Sequence, residues 1–501
     1  MTQDQPANLE AGVPPEENRG FFGHPRGLAT LFGTEMWERF SFYGMRALLV
    51  LYLATPTADG GLGYSAITAT GIYAVYNSLV YLLALPGGWI ADRLWGARRT
   101  VGVAAAIIMI GHFLLAVPVT ATFFVGLVFI AVGSGLLKAN ISTMVGQLYH
   151  DPRDPRRDGG FTIFYMGINI GAFAAPYAIG TLGQNVNFHA GFGLAGFGML
   201  LGLGWYLWGG RHLSPESSLV PSPLSAEEKR AILRKIGIGV AVVVVFYLIV
   251  VLTGAWTLNW ATVPLTVIGL VFPAWTLYRI RADRELSGDE RKKMTGYIWF
   301  FVAAAVFWMI YDQGGSTLNL FANDRTNTSI AGWHFPSSWF QSVNPLYIII
   351  LAPVFASMWQ ALARRGKEPT TTVKFAMGLL LVGVSFVVFY CALAVLSEGE
   401  KASPLWLAAI FLIQTIGELC LSPVGLSVTT KLAPEKYASQ MMGVWFLAVT
   451  AGDCVTSLAT TFGANLNSRP VVLVEAVAAL VAGVAFLGAR RRIAPLLGNV
   501  R

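Results

Sequence analysis

The stretch IGIGVAVVVVFYLIVVLT, residues 236–253, runs for eighteen residues without a charged side chain. At about 1.5 Å per residue, a helix of this length crosses most of a hydrocarbon core that is about 30 Å thick. The run is continuously apolar rather than alternating, which predicts a membrane helix and not a barrel strand. Similar runs recur along nearly the whole chain, so the sequence predicts an all-α membrane protein.

Composition supports this fold class. Of 501 residues, 55% are hydrophobic and only 12% are charged, whereas soluble domains contain about a quarter charged residues. This excludes a soluble enzyme, a fibrous protein, a disordered scaffold and a disulfide-rich secreted domain. The three cysteines lie inside apolar runs without motif spacing, so we expect neither a disulfide framework nor a metal site. The net charge of +8 is dispersed over short loops, which argues against a nucleic-acid partner.

Hydropathy predicts fourteen spans. They lie at 27–54, 66–91, 99–118, 121–142, 159–181, 189–209, 234–253, 259–279, 294–319, 341–363, 371–396, 403–430, 437–462 and 470–489. The predicted division is a tail (1–26), a six-helix bundle (27–212), a linker with two extra transmembrane helices (213–293), a second six-helix bundle (294–490) and a tail (491–501). Two bundles that flank a central site are typical of transporters built from repeats.

Loop charge predicts the orientation. Of the 35 Lys and Arg residues, only Arg325, Lys401 and Arg469 fall in the loops on one side. By the positive-inside rule, the other side is cytoplasmic, and an even number of spans places both termini there. The first 20 residues are acidic and Pro-rich, which predicts a disordered cytoplasmic tail and no cleavable signal peptide.

Several ionisable residues lie inside predicted spans, where each costs several kcal/mol unless it faces water or a partner. The first span carries four of them, Glu35, Glu38, Arg39 and Arg46, at a spacing that places them on one helical face. Later spans add Lys138, Asp312, Glu418 and Asp453. Structural ion pairs are the alternative interpretation. Five acids against three bases leave room for protons to bind and leave, which favours a proton-coupled carrier.

These residues carry a family resemblance. The stretch EMWERFSFYG, residues 35–44, resembles the E-x-x-E-R-F-x-Y-Y-G motif of proton-dependent oligopeptide transporters, which belong to the major facilitator superfamily. Further matches are GWIADR and GARR (88–99), FYMGINIG (164–171), Asn344 with Pro345, and GELCLSPVG (417–425). The resemblance covers roughly residues 24–490. It implies a major facilitator fold with a two-helix insertion, a bacterial inner-membrane protein, and proton-coupled import of di- and tripeptides by alternating access.

The resemblance also implies residue roles. For proton coupling it implies Glu35, Glu38, Arg39, Lys138 and Asp312. For peptide binding it implies Arg46 and Lys138 at the carboxylate, Glu418 at the ammonium group, and Asn169 and Asn344 at the peptide group. It also implies Tyr43, Tyr76, Trp308 and Trp445 as walls, and Ser422 as a further binding residue. For a cytoplasmic gate it implies Asp92, Arg93, Arg98 and Arg99, although a purely topogenic role fits those arginines equally well.

The sequence departs from the family pattern at four positions. Phe42 replaces a tyrosine, Ala139 a proline, Ala172 a small Ser or Gly, and Asp312 a more frequent Glu with a longer reach. The alternatives left open are a carrier for nitrate, amino acids or another small solute, and, from different classes, a membrane enzyme, a channel or a receptor. We expect protons as the coupling ion, no other cofactor, and a monomer in the lipid bilayer.

Overall fold

The computed structural model describes residues 20–149, 154, 156–330, 332–397 and 399–498. Most of the predicted N-terminal tail (1–19) and the last residues of the predicted C-terminal tail (499–501) lie outside the described residues. The first half contains α1 Arg26–Ala54, α2 Ala66–Leu82, α3 Ala84–Ile90, α4 Ala97–Ala116, α5 Thr120–Gln147, α6 Arg156–Ala175, α7 Thr181–Asn185 and α8 Phe188–Gly209. A hairpin follows, formed by α9 Ala226–Leu252 and α10 Asn259–Arg281.

The second half contains eight more helices and a short β-hairpin. Its elements are α11 Gly288–Tyr311, α12 Thr317–Asp324, β1 Ser329–Ile330, β2 Trp333–His334, α13 Val343–Arg364, α14 Thr371–Val395, α15 Pro404–Leu432, α16 Ala438–Thr461, α17 Arg469–Gly488 and α18 Arg490–Ile493. The two strands pair antiparallel, with Ser329 opposite His334 and Ile330 opposite Trp333.

In the described part of the chain, thirteen helical segments are long and apolar enough to cross a membrane. Helix α1 is not among them, because its 29 residues carry five charged side chains, but it covers the first predicted span. Helices thus cover all fourteen predicted spans, and thirteen of them are long and apolar enough to cross a membrane. Helices α2 and α3 continue through a π-helical turn, Ala91–Trp95, as one segment of 30 residues.

Two separate hydrophobic cores lie in the molecule. One joins residues 28–213, with Leu320 added from the second half, and the other joins residues 277–497. Close packing inside the first core depends on glycine, because a Cβ at Gly171 of α6 would overlap the Met36 carbonyl of α1. Small residues at such crossings let membrane helices approach closely. The two halves meet along α2 and α16 and along α6 and α13.

The inserted hairpin begins earlier than hydropathy predicts. Helix α9 starts at Ala226 and not at residue 234, because Ser225 and Glu228 form a capping box that satisfies free N–H groups of the first turn. Helix α11 likewise starts at Gly288 and not at 294, through a capping box of Ser287 and Glu290. Hydropathy detects only the apolar part of each helix, so it places the polar first turns in the linkers. Along α9, Val250 is the one buried residue.

We use "linker end" for the end of the molecule that contains residues 210–225 and 281–288. There, the Ser222 and Leu224 amides donate to the Asp92 and Arg93 carbonyls at 3.0 and 3.2 Å. On the second half, Lys436 Nζ lies 2.7 Å from both Asp283 and Glu285. Each linker is thus fastened to its own half. Residues 490–497 also fold here, with Ile493 and Leu497 buried.

The "polar seal" joins the halves at the opposite end and consists of Thr181, Gln184, Asn323, Ser337, Ser338 and Trp339. Gln184 Nε2 donates to Ser337 Oγ at 2.9 Å, and its Oε1 accepts from the Ser338 amide at 2.9 Å. Ser337 Oγ donates to Asn323 Oδ1 at 2.9 Å. Trp339 Nε1 donates to Thr181 Oγ1 at 2.8 Å. Every member of the seal is uncharged.

Candidate functional site

A cavity of about 170 Å³ lies between the two halves. Its lining combines aromatic, amide and ionisable side chains with small residues. The lining residues are Tyr43, Arg46, Tyr81, Tyr165, Ile168, Asn169, Ala172, Trp308, Tyr311, Asp312, Gly314, Gly315, Gln341, Asn344, Pro345, Ile348, Phe411, Gln414 and Glu418. A larger recess at the outer ends of α4 and α8 is almost wholly apolar and lies within the first half. Convergent polar groups make the smaller cavity the better candidate site.

A break between α11 and α12 places Asp312 in the cavity wall. Helix α11 ends at Tyr311, a 3-10 turn covers Asp312–Gly315, and α12 starts at Thr317. The turn contains Gly315, where a Cβ would overlap the Tyr73 hydroxyl. Glycine at this position therefore lets the first half approach the broken helix.

Arg46 connects the halves inside the membrane. Its NH2 group donates to Asp312 Oδ1 at 3.0 Å, and its Nε donates to the Tyr73 hydroxyl. The guanidinium also stacks near the rings of Tyr43 and Tyr73, with 5.8 and 5.5 Å to their centroids. A buried ion pair across two rigid halves is strong only while both partners stay charged. The pair can therefore respond to a proton or to a competing carboxylate.

A second ionic cluster lies behind the cavity on α1. Arg39 Nε lies 2.8 Å from Glu35 Oε1 and 2.8 Å from Glu38 Oε2, and Ser134 donates to Glu38 Oε1 at 3.3 Å. All three α1 residues are at most 3% exposed. One guanidinium faces two carboxylates here, so one negative charge remains for a proton or another cation.

The second half supplies a carboxylate at the facing wall. Glu418 Oε2 accepts from the Tyr311 hydroxyl and, at 3.4 Å, from Asn344 Nδ2. Asn344 also donates to Thr415 Oγ1 at 2.9 Å. Among the residues that the structure describes, Glu418 has no ion-pair partner. Hydroxyl and amide donors thus hold this carboxylate in place and leave its charge available to a cation.

Comparison with known proteins places the chain in a family. Residues 98–474 match the sequence profile of the POT family. The chain belongs to the POT family. This family member is 46% identical over 441 residues to the uncharacterized transporter YclF of Bacillus subtilis (strain 168), with 88% of both chains covered. It is 41% identical over 490 residues to the di-/tripeptide transporter of Lactococcus lactis subsp. cremoris, covering 96% of this chain and 98% of the relative.

Solved structures agree with the family. The POT family member is similar to a crystal structure of peptide transporter POT in complex with sulfate, with a TM-score of 0.91, 43% identity, and 96% and 97% of the two chains covered. It is also similar to a POT family transporter in complex with 5-aminolevulinic acid, with a TM-score of 0.90, 37% identity, and 95% and 98% covered. The major facilitator fold with its two-helix insertion is confirmed, and the protein is a multi-pass membrane protein.

The structure brings seven of the predicted site residues of this POT family member into the cavity lining. They are Tyr43, Arg46, Asn169, Trp308, Asp312, Asn344 and Glu418. Asn169 Nδ2 donates to the Tyr165 carbonyl at 2.9 Å, and the Trp308 ring lies 5.2 Å from the Tyr311 ring. Both halves contribute to this set, as the two-bundle prediction implied. The roles assigned to these residues stay predictions.

The remaining residues predicted for proton coupling and peptide binding lie outside the lining. Glu35, Glu38 and Arg39 form the α1 cluster, and Lys138 Nζ lies 3.5 Å from the centroid of the Tyr81 ring. Three others are set back from the cavity lining, as far as the structure describes it: Tyr76, Ser422 and Trp445. Tyr76 is 4% exposed and Trp445 3% exposed. Trp445 packs against Gly425, where a Cβ would overlap its ring.

Sequence reasoning missed several cavity residues, namely Tyr81, Tyr165, Tyr311, Gln341 and Gln414. The signal for Tyr81 was present, because Tyr73, Asn77 and Tyr81 repeat every four residues and share one face of the second span. It also missed Glu475, a buried carboxylate in the last predicted span. Glu475 Oε1 accepts from Gln313 Nε2 at 2.7 Å. A single acid in an otherwise apolar span was the available signal.

The four predicted gate residues lie at the linker end. Arg93 NH2 lies 3.3 Å from Glu228 Oε1 of α9, and the Arg98 carbonyl accepts from the Tyr206 hydroxyl of α8 at 2.7 Å. Asp92 and Arg99 are exposed. These described contacts are with the linker and the first half. No group of three or more potential metal ligands occurs in the described part of the chain.

Proposed function

We propose that this protein is a proton-coupled symporter that imports di- and tripeptides by alternating access. The observation that carries the proposal is the charge arrangement of the cavity, with Arg46 on one half and Glu418 on the other. A short peptide is a zwitterion, so it offers a carboxylate to the guanidinium and an ammonium group to the carboxylate. Because these contacts lie on different halves, a bound peptide draws the halves together.

Side-chain tolerance has its own physical basis in the cavity. Tyr43, Tyr81, Trp308 and Tyr311 surround the space with rings that carry a polar edge. Such walls accept apolar and polar side chains alike. Asn169 and Asn344 supply amides for the peptide group. The relatives named as di-/tripeptide transporters support the same substrate class for this chain.

Proton coupling is proposed to involve the α1 cluster, Lys138 and Asp312. Glu35 and Glu38 share Arg39, so protonation of one carboxylate frees positive charge for the substrate carboxylate. Binding of the proton and of the peptide is then linked, and each favours the other. One proton that crosses 100 mV releases about 2.3 kcal/mol, and one pH unit adds about 1.4 kcal/mol. With one proton per peptide, this supports several hundred-fold accumulation.

The linker end is proposed to be cytoplasmic, and both termini lie there. The support is loop charge, since the basic residues concentrate in loops of that end. The polar seal then lies on the periplasmic side. We further propose residues 27–212 and 294–490 as the two moving bundles, in keeping with the two hydrophobic cores. We also propose that the protein is a monomer, that it uses no cofactor besides protons, and that it has no enzymatic activity.

Uptake of radiolabelled dipeptide into proteoliposomes tests the function. The wild-type protein should concentrate dipeptide when an inward proton gradient is imposed, and should only exchange it when the gradient is collapsed. Glu35→Gln and Glu38→Gln should still exchange dipeptide but no longer concentrate it. Full gradient-driven uptake by both variants would refute the assigned coupling role. Competition by nitrate or free amino acids, and not by unlabelled dipeptide, would refute the substrate class.

A further inference from the structure

Asp453 is a second buried carboxylate close to the central ion pair, and the function proposed above gives it no role. It lies on α16 and is 2% exposed. Its Oδ2 accepts from Asn77 Nδ2 of α2 at 2.7 Å. Within the described residues, both side chains stand outside the cavity lining. The hydrogen bond nevertheless joins the first half to the second.

Asn77 also lies one helical turn from Tyr73, whose hydroxyl accepts from Arg46. Because Arg46 binds Asp312, the amide lies near both carboxyl groups. Asp312 Oδ1 is occupied by Arg46. In contrast, Asp312 Oδ2 and Asn77 Oδ1 are both buried and have no hydrogen-bond partner among the described residues. Both atoms are acceptors, and buried acceptors are nearly always satisfied by a donor. A proton on the carboxyl group supplies such a donor.

The chemistry of the amide leads to the same conclusion without reference to its orientation. A primary amide presents donors on one side and an acceptor on the other. Between two carboxyl groups, its NH₂ suits an ionised carboxylate, whereas its C=O needs a protonated carboxyl. Rotation of the amide by 180° exchanges the protonated and the ionised carboxyl, but the group still holds one proton.

The surrounding charges favour one shared proton. The groups that face Asp453 are Arg46 of α1, Tyr73 of α2, Lys138 of α5 and Asp312, and α10 presents the uncharged Thr266 and Gly269 to α16. Arg46 is already engaged with Asp312, and Lys138 also faces Glu35 and Glu38. Two carboxylates in a low-dielectric interior resist joint ionisation, and they titrate as a pair.

We propose that Asp312, Asn77 and Asp453 form one proton-binding site, in which the two carboxyl groups share an exchangeable proton across the joint between the halves. Both carboxyls belong to the second half, and the donors Asn77 and Arg46 belong to the first. Loss of the proton therefore tightens the joint, and its return loosens the joint. The use of this proton in peptide import rests on the proposed function, whereas the site itself does not.

Infrared difference spectroscopy of the purified protein in lipid tests the site directly. The pH-dependent spectrum should contain a C=O stretching band of a protonated carboxyl that Asp453→Asn lacks. Asn77→Ala should shift this band, because it removes the bridging amide. The control is Ser457→Ala, one turn further along α16, which removes only the Thr266 hydrogen bond and should keep the band. An unchanged band in both Asp453→Asn and Asn77→Ala overturns the proposal.

Transport in proteoliposomes tests the use of the proton. Asp453→Asn should exchange dipeptide at a rate close to wild type and lose at least tenfold in gradient-driven accumulation, with partial rescue by Asp453→Glu. Accumulation equal to wild type overturns the role in coupling. If Asp453→Asn does not fold, the band shift in Asn77→Ala decides the matter, and an unshifted band overturns the site. Failure of the wild-type protein to move peptide would sink the proposed function, while the infrared result still decides the site.

Discussion

The centre and the polar seal of this protein join the same two halves with different chemistry. At the centre, Arg46 and Asp312 form an ion pair and Asn77 binds Asp453. At the polar seal, the joining groups are amides, hydroxyls and an indole. Only the central contacts change with protonation. If the proposed function is right, we expect protons and peptides to act at the centre and the seal to open and close in response.

Arg46→Gln should have the largest effect, because it removes the charged contact of the centre and leaves Asp312 buried without its cation. Truncating one partner of a buried charge pair costs about 2–5 kcal/mol, so the initial rate of dipeptide uptake should fall about 100-fold or more. Arg279→Gln, at an exposed arginine of α10, is the control and should transport normally. Uptake by Arg46→Gln within threefold of wild type would contradict the proposed role.

Glu418→Gln should weaken binding of the substrate ammonium group. Hydrogen bonds to charged groups contribute about 1.5–3 kcal/mol, so the KM for dipeptides should rise about 10- to 100-fold. A dipeptide with an acetylated amino terminus lacks this charge and should inhibit wild type and variant equally. The matched control is Glu475→Gln, a buried acid of the same half that contacts Gln313. If Glu418→Gln discriminates between free and acetylated peptides as strongly as the wild-type protein does, the assignment is wrong.

Gln184→Ala tests the uncharged end of the comparison, because it removes three neutral hydrogen bonds of the polar seal. Each contributes about 1 kcal/mol, so the balance between open and closed seal should shift and the exchange rate should change by less than about tenfold. The pH profile of exchange should keep its midpoint, since no titratable group is lost. A displaced midpoint would show that the seal, too, responds to protons.

Asp283→Asn should have the smallest effect, since Asp283 fastens a segment of the linker end to its own half. Hydrogen bonds from Lys436 and Tyr437 lower the pKa of Asp283. Its stabilisation is therefore present above the unfolded pKa of about 3.9 and is lost as the pH falls towards the folded pKa. The variant should unfold about 2 °C lower at pH 7 and transport normally. Thermal unfolding at pH 7 and pH 3.5 measures whether the difference in unfolding temperature between wild type and variant shrinks at acidic pH. A constant difference would contradict the lowered pKa of Asp283.

Much of the fold could be predicted from sequence, because a helix in lipid needs a long apolar run and the runs are uninterrupted. Hydropathy does not predict where each helix starts, although the sequence contains the Ser225 and Glu228 pair that forms the capping box of α9. In the site, the charged face of α1 followed from helical spacing alone. Tyr81, and not Tyr76, lines the cavity, and this depends on how α2 is rotated about its axis. The pairing of Arg46 with Asp312 depends on a 3-10 turn, which spacing in a regular helix does not reveal.

Helix α10 has a consequence for the lipids around the protein. It packs on α16 and also touches α2, so it covers the seam along which the two halves meet. Thr266 binds Ser457 there, and Gly269 contacts Cys454. We therefore expect α10 to keep acyl chains away from Asn77 and Asp453. In this way, the inserted hairpin would shield the charged contacts between the halves from lipid in the middle of the bilayer.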